Sequence, residues 1–148
     1  MIVKIINNKK EVKNMNKELV YKITGKPTVE KLNEYSCDDN MFFRFQNPLR
    51  EIGEESWGMI YKTKEEAIED GCTILNGKSC CWNATDFAEY LPYYNNSYVI
   101  MIVKGFYVKD GHDEEPVVDI SKIVEVWDYD DFVATYEKYY EMMIEYIN

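Results

Sequence analysis

The sequence predicts an α+β fold: one domain with a mostly antiparallel, mixed sheet, short helices and a C-terminal helix. Residues 97–104 contain an unbroken apolar run over residues 98–103 bounded by turn residues, which indicates a central strand covered on both faces. Residues 128–148 begin with aspartates and continue with apolar side chains at helical spacing, which predicts an amphipathic helix packed on the sheet. Along the chain, the order of elements mixes hairpin-like segments with isolated helices, which favours antiparallel pairing over a doubly wound parallel sheet.

The length of 148 residues fits a single domain spanning residues 1–148. Residues 1–17 are rich in lysine, and Met15 can also serve as a start, so we expect this stretch to be a peripheral N-terminal extension. The first 20 residues carry five lysines and two glutamates, a balance of +3. Because the whole chain carries −10, the remainder carries −13.

Three elements are predicted before residue 50. Residues 18–24 alternate as a half-buried strand with Leu19, Tyr21 and Ile23 on one face. Residues 28–35 have helical spacing, with Thr28 as the N-cap. Residues 41–46 read as an aromatic strand.

The middle of the chain carries the strongest local pattern. Residues 56–71 predict a buried strand that runs directly into a helix, where Thr63 and Glu66 form a capping box. A second helix is predicted over residues 85–91, capped by Asn83 or Thr85.

The second half of the chain predicts further strands. Gly105 is expected to interrupt the central strand, and residues 109–115 to form an acidic hairpin loop. Residues 117–120 and 123–127 are predicted to be two separate short strands.

Composition excludes several classes of protein. No apolar run reaches the roughly 18 residues that a membrane span needs, and no signal peptide is recognisable, so we expect a cytoplasmic protein with free thiols. The four cysteines lack zinc-site spacing, and the side chains of Cys80 and Cys81 should diverge, so Cys37, Cys72, Cys80 and Cys81 are predicted to be packing thiols. His112 lies in an acidic turn that is expected to be solvated, and no metal or cofactor is expected.

Catalytic signatures are absent from the sequence. It contains no phosphate-binding glycine loop, no nucleophile elbow and no zinc-protease motif, which argues against an enzyme. The acidic balance should repel nucleic acid directly and attract a basic protein surface. The candidate partner-binding residues are Tyr93, Tyr94, Asp110, Asp113, Glu114, Glu115, Asp128, Asp130 and Asp131.

The order of elements resembles the ADP-ribosyltransferase-like fold. The segment around Lys22, the Gly58-to-Thr63 strand running into its helix, and a late glutamate, Glu114, Glu115 or Glu125, stand where that family has its NAD-binding positions. Lys22 replaces the family's Arg or His, and no Glu-x-Glu or Gln-x-Glu pair is present. The resemblance implies an NAD-dependent enzyme with Lys22, Tyr61, Glu115 and Glu125 in its cleft, or a binding protein on the same scaffold.

In composition the chain also resembles small counter-defence proteins of phages and mobile elements, including anti-CRISPR inhibitors. Three hypotheses follow. The leading one is an acidic protein-binding module that inhibits a nucleic-acid-handling host system. The alternatives are the NAD-dependent enzyme and a structural or assembly protein. The sequence leaves the oligomeric state open.

Overall fold

The computed structural model describes residues 19–52, 69, 78–111 and 113–147. These residues form a four-stranded sheet in the order β1-β3-β4-β2 with helices beside it, and every pairing between its strands is antiparallel. The α+β class with a C-terminal helix is therefore confirmed. The predicted extension at residues 1–17 and, apart from Glu69, the strand and helix predicted at residues 56–71 lie outside the described residues. The elements are α1 (Val29–Ser36), β1 (Met41–Gln46), β2 (Lys78–Ser79), α2 (Ala84–Ala88), a 3-10 turn (Leu91–Tyr93), β3 (Val99–Asp110), β4 (Pro116–Asp128) and α3 (Tyr129–Ile147).

Strand β3 lies between β1 and β4, as the apolar run predicted. Its first five residues are all buried. Ile100 and Ile102 pack into the core beneath the helices, and Met101 and Val103 pack into a second cluster on the opposite face of the sheet. Because both faces of this strand are covered, neither face needs polar side chains, and apolar residues therefore follow one another without alternation.

The larger core cluster joins the sheet to the three helices. It is dominated by rings: Phe43 from β1, Phe87 from α2, Trp127 from β4 and Phe132 from α3, all fully buried. Phe132 has ring centroids of Phe43, Phe87 and Trp127 within 6.5 Å of its own. Packed aromatic rings bury large apolar areas, so this cluster contributes strongly to stability.

Side-chain caps fix where the helices begin. Thr28 accepts a hydrogen bond from the Lys31 amide at 3.1 Å, which confirms the predicted cap of α1. Asn83 accepts one from the Asp86 amide at 2.8 Å, so Asn83, rather than Thr85, caps α2. Each cap satisfies a backbone amide that the first helical turn leaves without a partner.

The β3–β4 hairpin is more continuous than predicted. β3 runs through Gly105, and β4 is one strand from Pro116 to Asp128 where two were predicted. The register between the two strands shifts at three places, where Ser121 and Val124 in β4 and Val108 in β3 have no residue opposite them. Such β-bulges bend a strand without ending it, which is why the polar interruptions in the sequence did not correspond to strand ends.

The segment that precedes α1 is not the predicted strand. Leu19 and Ile23 are exposed, and within the described residues the amides of Val20 and Tyr21 both donate to one acceptor, Pro48 O. Thr24 then docks on the edge of β4: its amide donates to Val126 O at 2.9 Å, and its hydroxyl accepts from the Val126 amide at 2.9 Å. Since a side-chain hydroxyl takes the place of a backbone carbonyl, the contact ends after one residue and no strand ladder forms.

Candidate functional site

The predicted acidic residues fall into two groups at opposite ends of the β3–β4 hairpin. Asp110, Asp113, Glu114 and Glu115 surround its tip, whereas Asp128 lies opposite Val99 at the other end and is followed by Asp130 and Asp131 in α3. At about 3.3 Å per residue, the length of β3 separates the two groups by roughly 35–40 Å. The structure therefore does not assemble the predicted residues into one site.

Internal hydrogen bonds organise the hairpin tip. The Tyr107 hydroxyl donates to Asp110 Oδ1 at 2.8 Å, and Glu115 Oε2 accepts from the Asp113 amide at 2.9 Å. Glu114 has a φ of 64°, in the left-handed region that tight turns require. Two of the four carboxylates at the tip thus have a structural role in shaping the turn.

Two lysines divide the acidic surface. Lys104 in β3 lies directly opposite Lys122 in β4, between the two acidic groups, and both are exposed. Residues directly opposite in an antiparallel pair project from the same face, so these two ammonium groups form a basic belt across the hairpin. The acidic face expected from the sequence is therefore interrupted.

The end of the hairpin near α3 combines the carboxylates with the predicted tyrosines. We call this surface, made of Tyr93, Tyr94, Asp128, Asp130 and Asp131, the acidic-tyrosine end. The single hydroxyl proton of Tyr129, at the start of α3, is shared between Leu91 O at 2.8 Å and Tyr94 O at 3.3 Å. In addition, Asn96 Nδ2 donates to Asp130 Oδ2 at 3.4 Å. These bonds hold the tyrosine-bearing turn against the first turn of α3.

Tyr94 is held by a stack of rings that begins in the core. Its ring lies 4.0 Å from that of Phe45 and is nearly parallel to it at 9°. Phe45 in turn lies 4.0 Å from Phe87, and Tyr98 meets Tyr94 edge-on at 4.9 Å. The neighbouring Tyr93 projects outward, with 81% of its surface exposed. One fixed ring and one exposed ring therefore lie side by side on this turn.

The three carboxylates of the acidic-tyrosine end differ in what they do. Asp128 Oδ2 accepts from the Asp131 amide at 3.1 Å, so Asp128 caps α3. Asp130 is exposed and Asp131 partly so, and both lie in the first helical turn, where the helix dipole favours negative charge. No residue in the described part of the chain forms an ion pair with any of the three.

Glu125 forms a second polar centre, between α1 and β4. Its Oε1 accepts from Lys31 Nζ at 2.7 Å and from Trp127 Nε1 at 3.0 Å, and its Oε2 accepts from the Tyr35 hydroxyl. Burial raises the pKa of Glu125, but the hydrogen bonds from Lys31, Tyr35 and Trp127 outweigh it, so the pKa is lowered overall. The pKa of Tyr35 is raised, first by burial and then by its bond to Glu125. The carboxylate is thus an ionised bridge that ties α1 to the sheet.

Sequence reasoning missed the partners of Glu125. Lys31 and Tyr35 are four residues apart on α1 and so lie on one helix face, which was a visible signal. Their pairing with a strand 90 residues later was not visible, because it depends on how the helix packs against the sheet.

The residues proposed for an NAD site come from separate segments of the chain. Lys22 is exposed on the segment before α1, and Tyr61 lies outside the described residues. Glu115 is at the hairpin tip, where Ser79 Oγ donates to it at 3.4 Å, whereas Glu125 is ten residues further along the chain, in β4. The NAD-dependent enzyme stays a prediction.

The adjacent cysteines behave as predicted. Cys80 and Cys81 are buried in different core clusters, one on each face of the sheet. Burial raises the pKa of the Cys80 thiol to about 12, although the neighbouring Arg44 acts in the opposite direction. Cys37 is exposed, so the packing prediction is wrong there, because Cys37 is the C-cap of α1 and begins an exposed loop over residues 37–40. Cys72 lies outside the described residues.

Arg44 is a buried cation that the sequence did not single out as a site residue. Its Nε donates to Gln46 Oε1 at 3.0 Å, and another guanidinium nitrogen donates to Ser79 O at 2.9 Å. The guanidinium therefore ties β1 to β2, and we assign it a structural role.

No protein-family model, curated protein or solved structure matches this chain. Among the described residues, no helix is both long and apolar enough to cross a membrane, and no cluster of three or more His, Cys, Asp or Glu side chains is arranged to hold a metal ion.

We expect Glu125→Gln to destabilise the protein by about 1–2 kcal/mol at pH 7, because an amide replaces an ionised acceptor of three hydrogen bonds. A lowered pKa means that the stabilisation is present above the unfolded-state pKa of about 4.3 and is lost as the pH falls through the folded-state pKa. The difference in free energy of unfolding between wild type and variant should therefore shrink between pH 6 and pH 3 in urea titrations. Glu141→Gln, at an exposed position on α3, is the control. A difference that stays constant with pH would contradict the ionised bridge.

Proposed function

We propose that this protein binds a basic protein partner through the acidic-tyrosine end, and that the partner's basic surface is one that otherwise contacts nucleic acid. The observation that carries the proposal is the juxtaposition of the exposed Tyr93 with the first turn of α3, where Asp130 is exposed. Tyrosine is enriched among the residues that dominate binding energy at protein interfaces. Surrounding carboxylates add attraction for a cationic surface and speed association.

Preorganisation supports the choice of this end over the hairpin tip. Tyr94 is fixed by its stack on Phe45, and the Tyr129 hydroxyl secures the turn, so the turn that carries Tyr93 is already ordered before binding. At the tip, the exposed tyrosine is Tyr107, and its hydroxyl already donates a hydrogen bond to Asp110. Lys109 also lies there, next to Asp110, and offsets part of the negative charge.

The charge balance supports the partner class. The net charge of −10 disfavours direct binding to nucleic acid, while a cleft lined with Lys and Arg for phosphate contacts is complementary to exposed carboxylates. A protein that occupies such a cleft excludes nucleic acid from it and thereby inhibits its owner.

The experiment compares two charge-matched double variants. Asp130→Asn with Asp131→Asn removes two charges from the acidic-tyrosine end, and Asp113→Asn with Glu114→Gln removes two from the hairpin tip. Each protein is used as bait for host proteins, and the Kd of the captured partner is measured at several salt concentrations. We expect the first variant to bind at least tenfold more weakly, the second to bind within about twofold of wild type, and affinity to fall with added salt.

Competition identifies the class of partner. Duplex DNA or RNA added to the complex should displace the protein from a partner whose basic cleft it occupies. Equal losses for the two double variants, or affinity that does not respond to salt, would contradict the proposed surface. Failure of nucleic acid to compete would contradict the proposed partner class.

A further inference from the structure

We infer that the acidic-tyrosine end recognises arginine in preference to lysine. The inference rests on the proposed function of this surface and specifies which basic side chain the partner presents. It starts from the exposed Tyr93 ring, next to a ring that is already stacked.

The exposed ring of Tyr93 favours arginine over lysine. A guanidinium group is planar and weakly hydrated, so it stacks on an aromatic face, whereas a lysine ammonium is compact and strongly hydrated. Tyr93 has 81% of its surface exposed, and no ring contact involving it occurs among the described residues, so its ring is accessible to a partner. Tyr94 beside it is fixed by Phe45 and Tyr98.

The exposed carboxylate of Asp130 also favours arginine. Asp130 is exposed and is oriented by Asn96, and it lies in the turn of α3 that Tyr129 ties to Tyr94 O. An arginine that stacks on a tyrosine can direct its other nitrogens to a nearby carboxylate, because its donors form a rigid fork. A lysine at the same place makes one exposed ion pair, which contributes little in water.

The test uses two labelled peptides of equal length and charge, ten arginines and ten lysines, and measures Kd by fluorescence anisotropy at physiological salt. We expect wild type to bind the arginine peptide about threefold more tightly, as one exposed cation–π contact on Tyr93 would give. Tyr93→Ala should lower this ratio by about threefold. Tyr93→Phe, which keeps the ring, should leave it unchanged.

Phe106→Ala is the matched control, because Phe106 is another exposed ring, 68% accessible, on the distal half of the hairpin. The ratio of its affinities for the arginine and lysine peptides should equal that of wild type. Equal affinity for the two peptides, or an arginine preference that survives Tyr93→Ala, would overturn the inference. In either case, salt-dependent binding that Asp130→Asn with Asp131→Asn weakens would still support the proposed function, whereas a lack of binding to both peptides would overturn both.

Discussion

Replacing Phe132 with alanine should lower the free energy of unfolding by about 4 kcal/mol, within the range for large-to-small changes at buried aromatic positions. Phe132 is fully buried among Phe43, Phe87 and Trp127, which belong to three other elements. The substitution leaves a cavity where the helices meet the sheet. Because domains of this size are typically stable by about 5–15 kcal/mol, this substitution should remove between about a quarter and four-fifths of the stability. Urea denaturation followed by tryptophan fluorescence measures the change.

Tyr140→Ala is the control for this prediction, since Tyr140 is on the same helix but is 47% exposed. This substitution should lower the free energy of unfolding by less than about 1 kcal/mol. If the two variants were equally stable, Phe132 would not be part of a tightly packed core.

Substituting Gly105 with alanine should destabilise the fold by about 2–3 kcal/mol, the range for added atoms in a tightly packed place. A Cβ at this position would lie 2.4 Å from Asp119 O and 2.7 Å from Val118 Cγ1, both in β4. The clash with Asp119 O involves backbone, so a rotamer change cannot relieve it, and the two strands must move apart. Thermal or urea unfolding, with amide exchange along β3 and β4, measures the effect.

Gly25→Ala is the matched comparison. Its Cβ would meet Glu125 Oε1 at 3.5 Å, an ordinary contact, so this variant should be neutral or slightly stabilising through its effect on the unfolded chain. A Gly105→Ala protein as stable as Gly25→Ala would show that the hairpin can shift its register at the nearby bulge without penalty.

Features that depend on neighbours in the sequence were predictable. The apolar run of β3, the Thr28 cap of α1 and the C-terminal helix each carry a local signal, and each is present. The β-bulges were not predictable, because a residue in β4 is identified as extra only when its pairing with β3 is known. The contact of Thr24 was not predictable either. The alternating residues around it suggested a strand, whereas its hydroxyl accepts a hydrogen bond from Val126, 102 residues away.

The candidate site shows the same division. The acidic and tyrosine residues could be recognised by type, but their sorting into two groups depends on the length of the hairpin. The first turn of α3 meets the Tyr93 turn through Tyr129, which reaches the carbonyls of Leu91 and Tyr94, and through the hydrogen bond from Asn96 to Asp130. Such contacts between distant segments leave no pattern in the sequence.

The basic belt of Lys104 and Lys122 has a consequence for how the molecule is approached. The two acidic groups are separated by roughly 35–40 Å along the hairpin, several times the Debye length of about 8 Å at physiological ionic strength. A cationic surface near one group therefore scarcely senses the other, and the lysines between them repel it. Substitutions that remove negative charge at one end should therefore leave the attraction of cations to the other end unchanged.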